Sequence, residues 1–276
     1  MNQPARPTTR PHTLSQRLLR TPAPRCVALG LSLAGLCGVL GSVGCDPPPK
    51  KNPFAEPSGG AIKPPPIESA QLPKAPPDFT ITSEGPKVGF DYILVDKPDG
   101  KQRMTKALEE VKEYISDKDV PVKVDRKAKL DWVMALFAEL EKQGASSITV
   151  STETRPKYHA SIKFTPQGKV KNAPACSLVA TILEDRGTAV WKLSGGTASK
   201  RSKGFAGPDL SMTGDTLERR GAACKDSTNL FLSASEGVDW GLVYDLGAST
   251  KELEKVKLDT FILLLERPVA GHKVDL

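Results

Sequence analysis

The sequence predicts an α+β protein made of two tandem copies of one small unit, each a mixed sheet packed by two helices, behind a disordered Pro-rich tether. Three observations predict it. LDWVMALFAEL (residues 130–140) is echoed by VDWGLVYDL (residues 238–246). Around each copy the apolar residues change from a period of two to a helical period and back. Sixteen of the 24 prolines lie ahead of Asp78, so folded structure is expected to begin near Phe79.

The chain begins with a basic segment. Met1 to Arg25 holds five Arg and no acid, which leaves +2 of the formal net charge of +7 for everything after it. A body so close to neutral gives counterion release little to act on, which argues against nucleic acid as a partner. Residues 26–44 carry no charge and are followed by Cys45. Basic residues, an apolar run and small residues before a cleavage point read as a secretory signal over residues 1–44. SVGC (residues 42–45) is similar to a bacterial lipobox with Ser42 where Leu is usual, making Cys45 the lipidation site. The alternatives are an uncleaved membrane anchor, for which nineteen residues are nearly long enough, and an ordinary signal peptide. All three place the body outside the cytoplasm. Residues 45–77, with eleven of the prolines, read as an extended, partly polyproline-like linker of at most about 100 Å.

The first unit is assigned to residues 78–156. KVGFDYILVD (residues 87–96) reads as a strand ended by the Pro98-Asp99-Gly100 turn. Met104, Ala107, Leu108, Val111 and Ile115 recur at helical spacing through residue 118, and VPVKVD (residues 120–125) alternates as a strand. Asp131 stands where an N-cap belongs. Val133, Leu136, Phe137 and Leu140 then mark a helix that Gly144 stops. SITVST (residues 147–152) is a further strand, and Glu153, Arg155 and Pro156 close the unit.

After a connection over residues 157–174, the second unit spans residues 175–276. Residues 178–196 read as two strands around an Asp185-Arg186-Gly187 turn, and residues 199–209 as a loop. Residues 212–226 form a weaker helix pattern, LFLSAS (residues 230–235) a strand, and Val238-Asp239-Trp240 a helix start. TFILLLE (residues 260–266) is the last strand, and Glu266-Arg267-Pro268 closes the unit as before. The alignment is ungapped from Val122 on Leu230 to Trp132 on Trp240, with the second helix expected to be longer by a few residues. In this reading Asp131 and Asp239 cap helices, and Trp132 and Trp240 pack each helix on the preceding strand.

Cys176 and Cys224 are the only cysteines after Cys45, an even pair in an oxidising compartment. They are expected to form a disulfide, two buried thiols being the alternative. Metal ligation is not expected: no CxxC occurs, and only His159 and His272 follow the leader. Neither His lies in a hydrolase-like motif. An acid/base pair of Asp131 and Asp239 would need the two units to face each other across a cleft. An envelope hydrolase is therefore the remote alternative, and no catalytic residue or cofactor is assigned.

VPVKVDRKAKLDWVMALFAELEKQGASSITVSTE (residues 120–153) resembles the periplasmic domain of the ExbD/TolR biopolymer-transport family. Val124-Asp125, Val133-Met134, Gln143-Gly144 and Thr152-Glu153 stand where that family has its strand-end turn, helix start, helix stop and closing Thr-Glu. The second half is similar through LFLSASEGVDWGLVYDL and FILLLERP, so the resemblance covers residues 79–276 as two copies. It implies a periplasmic module that dimerises and binds envelope components: an ExbB/TolQ-like channel, a TonB/TolA-like partner or peptidoglycan. Family members couple to protons through an Asp in a membrane helix, but residues 26–44 hold no acid and Asp46 lies outside the apolar run. The expectation is thus a non-enzymatic, lipid-anchored periplasmic protein, accessory to Tol/Exb-type transport. The alternative is an ExbD-like membrane-anchored subunit of a proton-driven transporter.

Overall fold

Alternating and helical apolar periods become strands and helices in one mixed sheet with helices against it. The computed structural model describes residues 75–276, so the expectations for the leader, Cys45 and the linker up to residue 74 lie outside the described residues. In chain order the first half contains β1 (Phe79–Thr82), β2 (Gly85–Val88), β3 (Asp91–Tyr92), α1 (Gly100–Glu109), β4 (Asp119–Val124), α2 (Leu130–Lys142) and β5 (Ser147–Ser151). Next comes β6 (Ser161–Phe164). The second half contains β7 (Leu178–Ile182), β8 (Thr188–Lys192), β9 (Ser199–Arg201), the small hairpin β10 (Lys203–Gly204) and β11 (Gly207–Pro208), α3 (Leu210–Gly221), β12 (Asn229–Ala234), α4 (Trp240–Ser249) and β13 (Thr260–Leu263).

The two halves share one topology. The first orders its strands β3-β2-β1-β4-β5 and the second, counted inward from the other edge, β9-β8-β7-β12-β13. In both, three antiparallel strands lead through a helix to two strands that run parallel to the first of the three. The register repeats too: Val122 lies opposite Phe79, and its counterpart Leu230 opposite Leu178.

The expected connection is where the halves join. Residues 161–164 form β6, which pairs antiparallel with β5 along four residues and touches β13 through Phe164 and Phe261. The result is a single eleven-stranded sheet, with one apolar cluster running under the helices of both halves. The signal was slight, a four-residue alternation in which Ile162 and Phe164 are buried and Ser161 and Lys163 are not.

Other boundaries shift for local reasons. Residues 87–96 are a hairpin rather than one strand, because Gly89 takes φ +60° and reverses the chain between β2 and β3. α1 begins four residues early, at Gly100, where an added Cβ would lie 2.2 Å from the Leu94 carbonyl oxygen. It also ends early, passing into a tight turn over Lys112–Tyr114. Gly144 stops α2 with φ +89°, as expected. The segment read as a loop over residues 199–209 contains β9 and the β10–β11 hairpin. α4 is shorter than α2, ten residues against thirteen. The extra length lies after it, where Leu253 and Val256 pack against Gly214 and Gly221 of α3.

The face of the sheet away from the helices differs between halves. In the second, Val179, Trp191, Phe231 and Ile262 form an apolar layer under Val170, Ala173, Ala270 and Val274. The Trp191 Nε1–H donates to the His272 carbonyl at 2.8 Å and the Val274 N–H to Leu193 at 3.0 Å, holding the C-terminal residues as a cover. In the first half the same face is polar and uncovered. Tyr92, Lys87, Thr80, Lys123, Ser151 and Ser161 form a cross-strand row in register, none of them buried.

Cys176 and Cys224 are bonded, with Cα atoms 5.5 Å apart, tying the approach to β7 to the end of α3. The bond closes a sequence separation of 48 residues, which the loop-closure argument makes worth about 4 kcal/mol. Replacing both with Ala is expected to lower unfolding stability in urea by about that amount, with the denaturant slope showing whether the unfolded chain expands.

Candidate functional site

The repeated Asp-Trp pair opens a helix in both halves, but the two copies do different work. Trp240 is fully buried; its Nε1–H donates to Thr152 Oγ1 at 2.8 Å. Phe164, Tyr244 and Phe137 surround it with ring centroids 5.9, 6.0 and 6.4 Å away. It pins the second half to the first.

Trp132 instead forms the wall of a groove between α1 and α2. Its Nε1–H donates to Asp96 Oδ1 at 2.9 Å, the Lys129 ammonium lies 4.6 Å from its ring centroid, and that ammonium reaches Asp96 Oδ2 at 2.8 Å. The Lys129 hydrogen bond, followed by that from Trp132, holds the Asp96 carboxyl below the usual carboxylate range. The groove encloses about 460 Å³, with Met104, Met134, Ala135 and Leu265 on its apolar side. Lys101 and Glu139 lie at its rim; Glu139 accepts from the Thr105 hydroxyl at 2.9 Å. Volume and lining suit a small ligand or a partner's apolar side chain.

Neither Asp serves as the expected cap. Lys129 occupies the N-cap position of α2, placing Asp131 inside the first turn, where its carboxylate pairs with Arg267. Asp239 is at the N-cap position of α4, yet its side chain accepts no capping hydrogen bond. Its backbone is instead bridged to Lys129, while the N–H groups of Trp240 and Gly241 donate to Ala128 and Arg126 carbonyls at 2.9 Å each. An added Cβ on Gly241 would lie 2.9 Å from that Arg126 oxygen, so the close approach requires glycine.

The Arg-Pro signatures cross over. Arg267, after the last strand of the second half, reaches Asp131 of the first; Arg155, after the last strand of the first, lies 3.8 Å from Asp245 of the second. Asp245 is 2% exposed and is the center of a lock that sequence reasoning missed. Arg126 grips it with two bonds of 2.9 and 2.8 Å and also donates to the Glu153 carbonyl, while the Thr154 hydroxyl donates to Asp245 at 2.8 Å. A lone acid inside the apolar helix GLVYDL was the available signal. Beside it, Tyr244 donates to the His159 carbonyl at 2.9 Å, and burial, with the Asp245 charge second, pushes its pKa up to about 12. Among the described residues, no three His, Cys, Asp or Glu side chains gather to share an ion.

Arg126→Met leaves Asp245 buried without its main partner and is expected to cost about 3 kcal/mol of unfolding stability in urea. An ultraviolet titration should find Tyr244 ionising near pH 12. Because its folded pKa is raised, its contribution to stability is intact below about pH 10 and declines as pH rises toward 12.

Compared with known proteins, the chain matches no protein-family model, no curated protein and no solved structure.

Proposed function

We propose that the chain is a non-enzymatic, lipid-anchored protein of the bacterial envelope, facing the periplasm. Its two ExbD/TolR-like repeats bind partner proteins or peptidoglycan as an accessory to Tol/Exb-type transport. The observation that carries this reading is the duplicated topology, in which two halves with the same strand order and helix placement are fused through β6. Both tryptophans of the Asp-Trp pairs are buried, but Trp240 lies under the junction of the halves while Trp132, 6% exposed, lines a groove. Such a division suits a binding module: one motif fixes the scaffold, and its copy meets a partner. The buried or cross-linked acids favour structure over acid/base chemistry, since Asp245 is held by Arg126 and Asp131 by Arg267.

The leader supports the anchor, because an apolar run ending in SVGC is followed by a Pro-rich linker that joins it to the folded part. Among the described residues no helix is long and apolar enough to cross a membrane.

Two measurements test the reading. Mass spectrometry of the mature chain should find diacylglyceryl on Cys45 as the first residue; a retained Met1 would instead favour the membrane-anchored transporter subunit. Ala135→Arg, which fills the groove, should reduce retention of the chain on Tol/Exb-type components or cell-wall sacculi by about ten-fold, comparable to losing one interface anchor. Equal retention with an unchanged melting temperature would remove the groove from the function.

A further inference from the structure

We propose that the uncovered sheet face of the first half, together with the β2–β3 hairpin, docks on an anionic lipid surface. The second half supplies the comparison. There the equivalent face is apolar and the chain covers it with its own residues. In the first half the face carries Lys87, Lys123 and Lys163, with Thr80, Ser151 and Ser161 between them. Its acids are Asp119, held by the Ser147 and Thr149 hydroxyls at 2.7 and 2.8 Å with Lys163 at 3.9 Å, and, where β4 and β5 end, Asp125 and Glu153. Asp91 pairs in register with buried Val88 and so belongs to the helix side. Among the described residues Lys87 and Lys123 form no ion pair. The Lys87 and Lys123 ammonium groups are therefore available to anionic headgroups.

The hairpin at its edge supplies an apolar component. Phe90, Tyr92 and Leu94 alternate along the chain and are 96, 46 and 48% exposed. Water is a costly place for a Phe ring this exposed. The Lys87 ammonium lies 5.9 and 5.5 Å from the Phe90 and Tyr92 ring centroids, so cation and rings occupy the same side. Aromatic rings at headgroup depth, with lysines reaching the phosphates, are the composition that interfacial binding selects.

The path of the chain decides between a bilayer and a protein as the occupant. The Gly89 N–H donates to the Asp78 carbonyl at 2.8 Å, so the segment leading back toward Cys45 leaves the fold beside Phe90. An anchor at that end is attached nearer this edge than the opposite one at β9. The proposal rests on the lipid-anchored reading for the presence of that membrane; the contact itself depends on the residues named here.

The fragment 68–276, which contains the whole sheet and both apolar clusters, tests the contact without lipid or leader. It should co-sediment with vesicles of phosphatidylglycerol and phosphatidylcholine at low salt, less at high salt, and little with phosphatidylcholine alone. Lys123→Gln should weaken binding about five-fold, the equivalent of about 1 kcal/mol for one lysine near an anionic surface. The double variant Phe90→Ser, Tyr92→Ser should weaken it by at least about ten-fold without lowering the melting temperature. Phe90→Trp should add emission that shifts blue on vesicles, whereas Met212→Trp, exposed on α3, should not. Absence of binding to the phosphatidylglycerol vesicles would overturn the proposal. So would binding that survives the double variant, or a dimer in solution that the double variant dissolves, which would make a second copy the occupant. Failure here leaves a lipidated Cys45 standing, and an unlipidated Cys45 leaves vesicle binding by the fragment standing.

Discussion

A sheet edge is a row of unmet hydrogen bonds, and each half of this molecule would have one along its last parallel strand. Strand β6 fills the space between them: it pairs with β5 along four residues and meets β13 at Phe164 and Phe261. Everything else at the junction follows from that placement. Phe164 of β6 brings Phe137, Trp240 and Phe261 together above the sheet. Helix α4, now central, has nearly every side chain buried, and its Asp245 must find its counter-charge across the junction in Arg126. The ion pair fixes the alignment of halves that apolar packing alone would hold less selectively.

Corresponding positions of the two halves have unequal surroundings. Trp132 and Trp240 begin corresponding helices, yet one indole N–H meets a carboxylate at the rim of a groove and the other a threonine hydroxyl in the core. The longer α4–β13 connection lays Leu253 and Val256 over α3, whereas α2 runs to β5 through a short Gly144 turn. The same inequality governs the outer faces, sealed by the C-terminal residues in one half and open in the other.

Much of this was legible because it is local. The alternation in VPVKVD, the helical stripe from Leu130, the Gly144 stop and the Asp185-Arg186-Gly187 turn are each decided by neighbours in sequence, and the structure has them in place. The shared strand order of the halves was readable because both keep strand, helix and Arg-Pro in one succession. What stayed hidden depends on distant partners. Asp131 looked like a cap until Arg267, more than a hundred residues later, proved to be its partner. Strand β6 is four residues of weak alternation whose worth comes only from the two edges it fills. The hairpin at Gly89 was masked by an unbroken run of strand-forming residues on both sides. The groove draws Met104, Met134 and Leu265 from three separate segments, so no window of sequence contains it.

Because β1 lies inside the sheet, between antiparallel β2 and parallel β4, it is an unusual place to attach a leash. Tension arriving through the residues ahead of Asp78 is directed along the strand. It stresses both ladders in shear, many bonds together, instead of peeling an outer strand one bond at a time. A pull on the chain ahead of Asp78 would meet two ladders instead of one.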